Sequence, residues 1–247
     1  MRDFFNGLVL SLGYFTRIPI PYRVEKVTDK AYGYLALTLP FSGVVLSIIT
    51  VALFVWLQAY AESDFVALLV SVGYLFMYGF LHLEGFADIV DAWHGGHGGK
   101  DRYEIMKDPH IGAVGALWTF GLVLIRVASM ATLLLSGAYA AVISVLILSR
   151  WGVVWVIWLG TFHEASRFIH RMQEGLDRQG MVVVTFMVAA LLLFTGYLWL
   201  LPLTLALMFL LYRWLKRTFG FVNGDGLGFM IELTETVLLV GTVFWVT

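Results

Sequence analysis

The chain contains no cysteine, so neither a disulfide framework nor a cysteine-based zinc site holds it together. It is also poor in charge. Only 13% of its 247 residues are Asp, Glu, Lys or Arg, and 60% are apolar. Soluble domains carry about 25% charged and roughly 45–50% apolar residues. That balance excludes disorder and argues against a water-soluble fold. The formal net charge of −1 offers no general attraction to nucleic acid. No small-residue cleavage site follows the first apolar stretch, so no signal peptide is expected. No internal repeat is visible, and no pair of interrupted helices marks an inverted-repeat transporter. With a mean hydropathy of +0.84, the chain reads as one all-α domain, 1–247, a polytopic membrane helical bundle.

A spanning helix needs about 20 mostly apolar residues. Seven segments qualify: 34–57, 65–83, 112–135, 137–160, 181–199, 201–216 and 229–246. The run 181–216 reads as two short helices around Pro202, with one kinked span as the alternative. Residues 1–33 form an interfacial, amphipathic N-terminal segment. Of 16 Lys and Arg, all but Arg126 and Arg150 fall in segments that this scheme puts on one side. The positive-inside rule makes that side cytoplasmic. The expected topology is N-terminus in, in the inner membrane, with the functional face toward the cytoplasm.

On that face lies a concentration of acids, 84–111. At about 100° per residue, Glu84, Asp88 and Asp91 fall within a stripe about 60° wide. Like charges so placed repel, and a divalent cation relieves them. Oxygen ligands without cysteine favour Mg²⁺ or Mn²⁺. The run HGGHGG (94–99) then allows close backbone approach to a ligand. Glu104, Lys107 and Asp108 follow. Arg17, beside Pro19 and Pro21, is placed at the surface, where its guanidinium suits phosphate. Arg150, inside a span, is a functional-site candidate by its position alone. Arg126 is read instead as a carboxylate partner that holds helices together. Lys216 and Arg217 precede a flexible loop with Asn223 and Asp225. Glu232 and Glu235 are expected at the start of the last span, where acids favour a helix N-terminus. The loop 161–180 carries His163, Arg167, His170 and Arg171 and either lines or covers a site. Grouped acids, cations and glycine loops on one membrane face point to metal-assisted phosphoryl transfer.

The segments FTRIPIP (15–21), GFADIVDAW (85–93), EIMKDPHIG (104–112), LKRTFG (215–220) and NGDGLG with Glu232 and Glu235 occur in this order. Together they resemble the cobalamin synthase family, the adenosylcobinamide-GDP ribazoletransferases, over nearly the whole chain. The resemblance implies that α-ribazole, or its 5′-phosphate, attacks adenosylcobinamide-GDP. GMP leaves, and adenosylcobalamin or its 5′-phosphate forms. It implies Mg²⁺ on Glu84, Asp88, Asp91, Asp108 and Asp225, with Asp88, Asp91, Lys107 and Asp108 in catalysis. Arg17, Lys107, Arg150, Lys216 and Arg217 would hold phosphate. Glu104, Asn223, Glu232 and Glu235 are further candidates. Membrane lipid is an implied partner, nucleic acid is not, and an oligomer is left open. The chain departs from the family at Asp91-Ala92, where Asp-Gly is usual, and at Asp108-Pro109-His110, where Asp-Ser-Arg is usual. It also has Glu84 where Asp is common. CDP-alcohol phosphotransferases share an aspartate-rich membrane site, but here Ala92 follows Asp91 and no spaced Ala-Arg follows. A non-enzymatic corrinoid or metal transporter is the remaining alternative.

Overall fold

The computed structural model describes every residue except 1, 23, 25–26, 97–101, 109 and 247. Among the described residues there are twelve helices and no strand. The N-terminal segment forms α1 (Arg2–Phe15) and α2 (Asp29–Leu37). Thr28 starts α2, its hydroxyl oxygen accepting the Ala31 N–H at 3.1 Å. Then come α3 (Leu39–Leu57), α4 (Ser63–Tyr78), α5 (Leu81–Gly96), α6 (Arg102–Lys107), α7 (Ala113–Leu135) and α8 (Tyr139–Leu159). The chain ends with α9 (Arg167–Gly175), α10 (Arg178–Thr195), α11 (Leu200–Phe219) and α12 (Gly224–Val246).

Each apolar run singled out in the sequence is helical. By length and composition, α3, α7, α8, α10 and α12 qualify as membrane spans. The pair α4 and α5 makes a sixth only if its 85° bend is counted as one broken span. The expected span 65–83 therefore stops at Tyr78, because Gly79 (φ 82°) and Phe80 (φ 62°) turn the chain. The expected span 201–216 is the helix α11, but Arg213, Lys216 and Arg217 crowd its last turns. The run 181–216 is two helices with Gly196 in the left-handed region between them. Pro202 sits in the first turn of α11, where a missing N–H costs nothing.

Ring and hydroxyl contacts define the two ends of the bundle. At one end Phe54 meets Tyr139, Ser144 bonds Thr195, and Trp199 meets Trp245. At the other, Tyr103 stacks on His163 at 4.5 Å, and both contact Phe221. We call this second end the acidic end. Glycine permits the tightest crossings, as in membrane bundles generally. A Cβ on Gly43 of α3 would strike the Leu146 carbonyl of α8, and one on Gly85 of α5 would lie 2.8 Å from Asp225 Cα of α12.

Among the described residues, four charges sit inside this bundle, and none is more than 3% exposed. Arg126 of α7 pairs with Glu232 of α12 and donates to the Tyr78 hydroxyl at 3.1 Å and Thr236 Oγ1 at 2.9 Å. Arg150 of α8 pairs with Glu235 at 2.6 Å and donates to the Tyr74 hydroxyl at 2.9 Å. Tyr74 in turn donates to Glu235 at 2.6 Å. Two arginines and two glutamates cancel, and each ion is hydrogen-bonded, as a low-dielectric interior requires. Arg126 is thus the helix-joining residue the sequence suggested. Arg150 is placed differently from expectation: its guanidinium is committed to Glu235 and is not presented to a ligand. Glu232 and Glu235 also move. The sequence put them at a helix start, but α12 begins at Gly224, so they lie two to three turns inside it.

Candidate active site

α5 carries the carboxylate stripe. Phe86, Ile89, Val90 and Ala92 are buried, whereas Glu84 is exposed and Asp88 and Asp91 are half-buried. The 3.6-residue repeat thus turns a single helix into an apolar back and an acidic front. The close crossing at Gly85 brings α12 against this front. There Asp225 joins the stripe: Asp88 feels the charges of Asp225, Glu84 and Asp91, and Asp225 feels that of Glu84. Asp225 does not lie in a flexible loop, as the sequence implied. It is in the first turn of α12, where Asn223 Oδ1 accepts the Gly226 N–H at 2.9 Å and Asn223 Nδ2 donates to Asp225 at 2.8 Å.

Asp91 has a distinct employment. One oxygen accepts the Gly112 N–H and the other the Gly115 N–H, both at 2.7 Å. These are orphan donors at the start of α7, so a carboxylate from α5 caps the neighbouring helix. Asp91→Ala leaves both N–H groups without their acceptor, Gly115 buried and Gly112 partly so, and we expect a loss of about 1–3 kcal/mol. Thermal unfolding in detergent checks this, with Asp88→Ala unfolding no earlier than the parent protein.

Two cavities open beside Asp225. One, about 140 Å³, is lined by Tyr14, Phe15, His82, Gly85 and Asp225 among others. Burial and the Asp225 carboxylate raise the Tyr14 phenol above its usual range, so it stays a hydrogen-bond donor. The other, about 310 Å³, is lined by Tyr103, Lys107, His163, Ser166, Asn223 and Asp225. Lys107 Nζ sits 4.2 Å from the Tyr103 ring centroid, which holds the cation over this cavity. His163, Ala165 and Ser166 therefore line this cavity. Sequence reading left their role open and missed Tyr14 and Tyr103, because nothing in their local pattern marks them.

The other candidates are less central. Arg17 is exposed at the α4–α5 break, where its N–H donates to the Met77 carbonyl at 2.7 Å and its side chain packs over Gly79. Asp108 is exposed, with His110 Nδ1 at 2.7 Å and the His110 N–H at 3.0 Å. Glu104 is exposed on α6. Lys216 and Arg217 close α11. His94 ends α5, but residues 97–99 of the glycine run and Pro109 lie outside the described residues.

Among the described residues, no three His, Asp or Glu side chains converge tightly enough to chelate one ion. The donors present are hard oxygens. Neither Glu84 nor Asp88 has a cationic partner among the described ion pairs. Mg²⁺ commonly binds through one or two carboxylates and completes its shell with water and substrate phosphate. One or two carboxylates drawn from Glu84, Asp88 and Asp225 fit that mode, and a closed protein cage does not.

The sequence profile of the cobalamin-5-phosphate synthase family matches residues 7–243. The adenosylcobinamide-GDP ribazoletransferase of Novosphingobium aromaticivorans is 30% identical over 98% of both chains. That of Pseudomonas aeruginosa strain PAO1 is 29% identical over 97% of this chain and 98% of its own. That of Geobacillus thermodenitrificans is 28% identical over 96% of this chain and 95% of its own. No solved structure matches. An all-helical apolar bundle, an acidic helix front and a match over nearly the whole length agree, and the chain belongs to the cobalamin-5-phosphate synthase family.

Proposed function

We propose that the protein joins α-ribazole, or its 5′-phosphate, to adenosylcobinamide-GDP and releases GMP, with the acidic end of the bundle facing the cytoplasm. The observation that carries this reading is the meeting of α5 and α12. It sets Glu84, Asp88 and Asp225 together next to a cavity that also holds Lys107. In this reading a ribose hydroxyl oxygen forms a bond to the cobinamide phosphorus. The bond from that phosphorus to the GMP oxygen breaks, and the hydroxyl proton passes to a carboxylate of the cluster. Lys107 and Arg17 supply positive charge to the phosphates, and Asn223 holds Asp225 in place. Asp108 and Lys216 are at the same end and extend the polar face. Mg²⁺, or Mn²⁺, held by one or two of the carboxylates Glu84, Asp88 and Asp225 would neutralise charge on the two phosphates.

The test uses purified protein in liposomes, given adenosylcobinamide-GDP, α-ribazole and Mg²⁺. We expect stoichiometric GMP and cobalamin, and loss of both on addition of EDTA with recovery on excess Mg²⁺. Folded protein that forms no GMP under these conditions would overturn the reading.

A further inference from the structure

A large apolar groove lies behind α5, on the side away from the carboxylates. On the same wheel Phe86, Val90 and Trp93 fall about 180–240° from Glu84, and all three line it. It is a groove of about 1090 Å³, with α12 and α5 as its floor and α7 and α11 as its walls. It runs along the apolar length of the bundle. Two of its glycines, Gly121 of α7 and Gly241 of α12, face open space: an added Cβ would meet nothing within 4 Å. They differ from Gly43 and Gly85, whose Cβ positions are filled by a neighbouring helix. Here the missing side chain keeps a channel wide.

The groove has a marked head. Trp93 lies edge-on to Trp118 at 6.4 Å and to Trp214 at 6.1 Å, at the acidic end. Tryptophan clusters of this kind favour the headgroup level of a bilayer. Along α11, Leu211 and Trp214 line the groove, and Arg217 continues that three-residue step one turn further. Arg102 reaches the same place. It donates to the Thr218 carbonyl and lies over the Phe219 ring at 5.7 Å. Its Nε has no hydrogen-bond partner among the described residues. Neither arginine is in an ion pair among the described residues.

We infer that this groove is a binding site for one anionic phospholipid, its acyl chain along Gly121 and Gly241 and its phosphate at Arg102 and Arg217. An apolar trough within the bilayer, headed by two guanidinium groups that have no ion pair among the described residues, matches the chemistry of that molecule. A second copy of the chain fits less well. Two copies in one bilayer share the same orientation, so a symmetric contact through this groove would set the arginines of one against those of the other. The lipid would back α5 directly opposite its acidic front.

The experiment is native mass spectrometry of the full chain, released from micelles holding equal phosphatidylglycerol and phosphatidylcholine. We expect one retained phosphatidylglycerol, favoured about tenfold, a preference worth about 1.4 kcal/mol. Gly121→Leu fills the groove and abolishes retention. Arg102→Gln with Arg217→Gln leaves binding but removes the preference for the anionic lipid. If Gly121→Leu unfolds early, Gly241→Leu fills the far end and serves instead. Equal retention of both lipids by the unsubstituted chain, or undiminished retention in the filled variants, would overturn the proposal. So would a dimer that the filled variants convert to monomer.

Discussion

Asp88→Asn lowers the rate of GMP formation by at least about 10²-fold, the scale expected when a charged group at the reacting atoms is removed, and does not weaken the fold. The two halves of that expectation have one cause. Asp88 is half-buried among Glu84, Asp91 and Asp225, and it has no cationic partner among the described residues. Such crowding costs the folded protein energy. Asparagine keeps the shape and removes the charge, so thermal unfolding should stay where it was or rise. A residue kept for structure behaves the other way, and Asp91 is the internal control, since it caps α7 through Gly112 and Gly115. Loss of activity at unchanged or higher stability assigns Asp88 to function. Full turnover in Asp88→Asn would remove it from the site.

The second large effect lies in the bundle interior. Arg126→Leu leaves Glu232 buried without its cation, and we expect a loss of about 3–5 kcal/mol. The Tyr78 hydroxyl, within 3.3 Å of Glu232, cannot replace a guanidinium. Arg126→Leu combined with Glu232→Leu removes both charges and should recover most of that loss. Unfolding of the two single variants and the double variant in detergent gives the coupling directly. The Arg150–Glu235 pair is the place to repeat it. Single variants as stable as the parent protein would show that these ions do not hold α7 and α8 to α12.

The readable and unreadable parts of the sequence differ in physical kind. Apolar length is a local property, so the five helices that qualify as spans were legible, whereas the expected spans 65–83 and 201–216 do not qualify as single spans. The 85° turn after Tyr78 was not legible, because Gly79 and Phe80 sit inside an apolar run with no proline. The stripe on α5 was legible since its period is fixed by the helix. Asp225 beside it was named from sequence, but its setting was not. The glycines of Asn223-Gly-Asp-Gly suggest a loop, yet they start α12, which crosses α5 closely at Gly85 and Gly228. Arg150 was misread for a similar reason. Its isolation in an apolar run marks it as special, but its partner Glu235 is 85 residues away. Tyr74 and Tyr78 were missed altogether. They look like ordinary aromatic residues of a span until the glutamates are placed next to them.

We propose that the junction of α5 and α12 holds a divalent cation on substrate phosphate. The most direct measurement is the Mg²⁺ concentration that gives half-maximal GMP release, in liposomes, for the unsubstituted protein, Glu84→Gln and Asp225→Asn. Each substitution should raise that concentration by at least about 10-fold, since even outer-shell changes weaken a metal site by about 10–100-fold, with activity partly restored at high Mg²⁺. An unchanged Mg²⁺ requirement in both variants would contradict it.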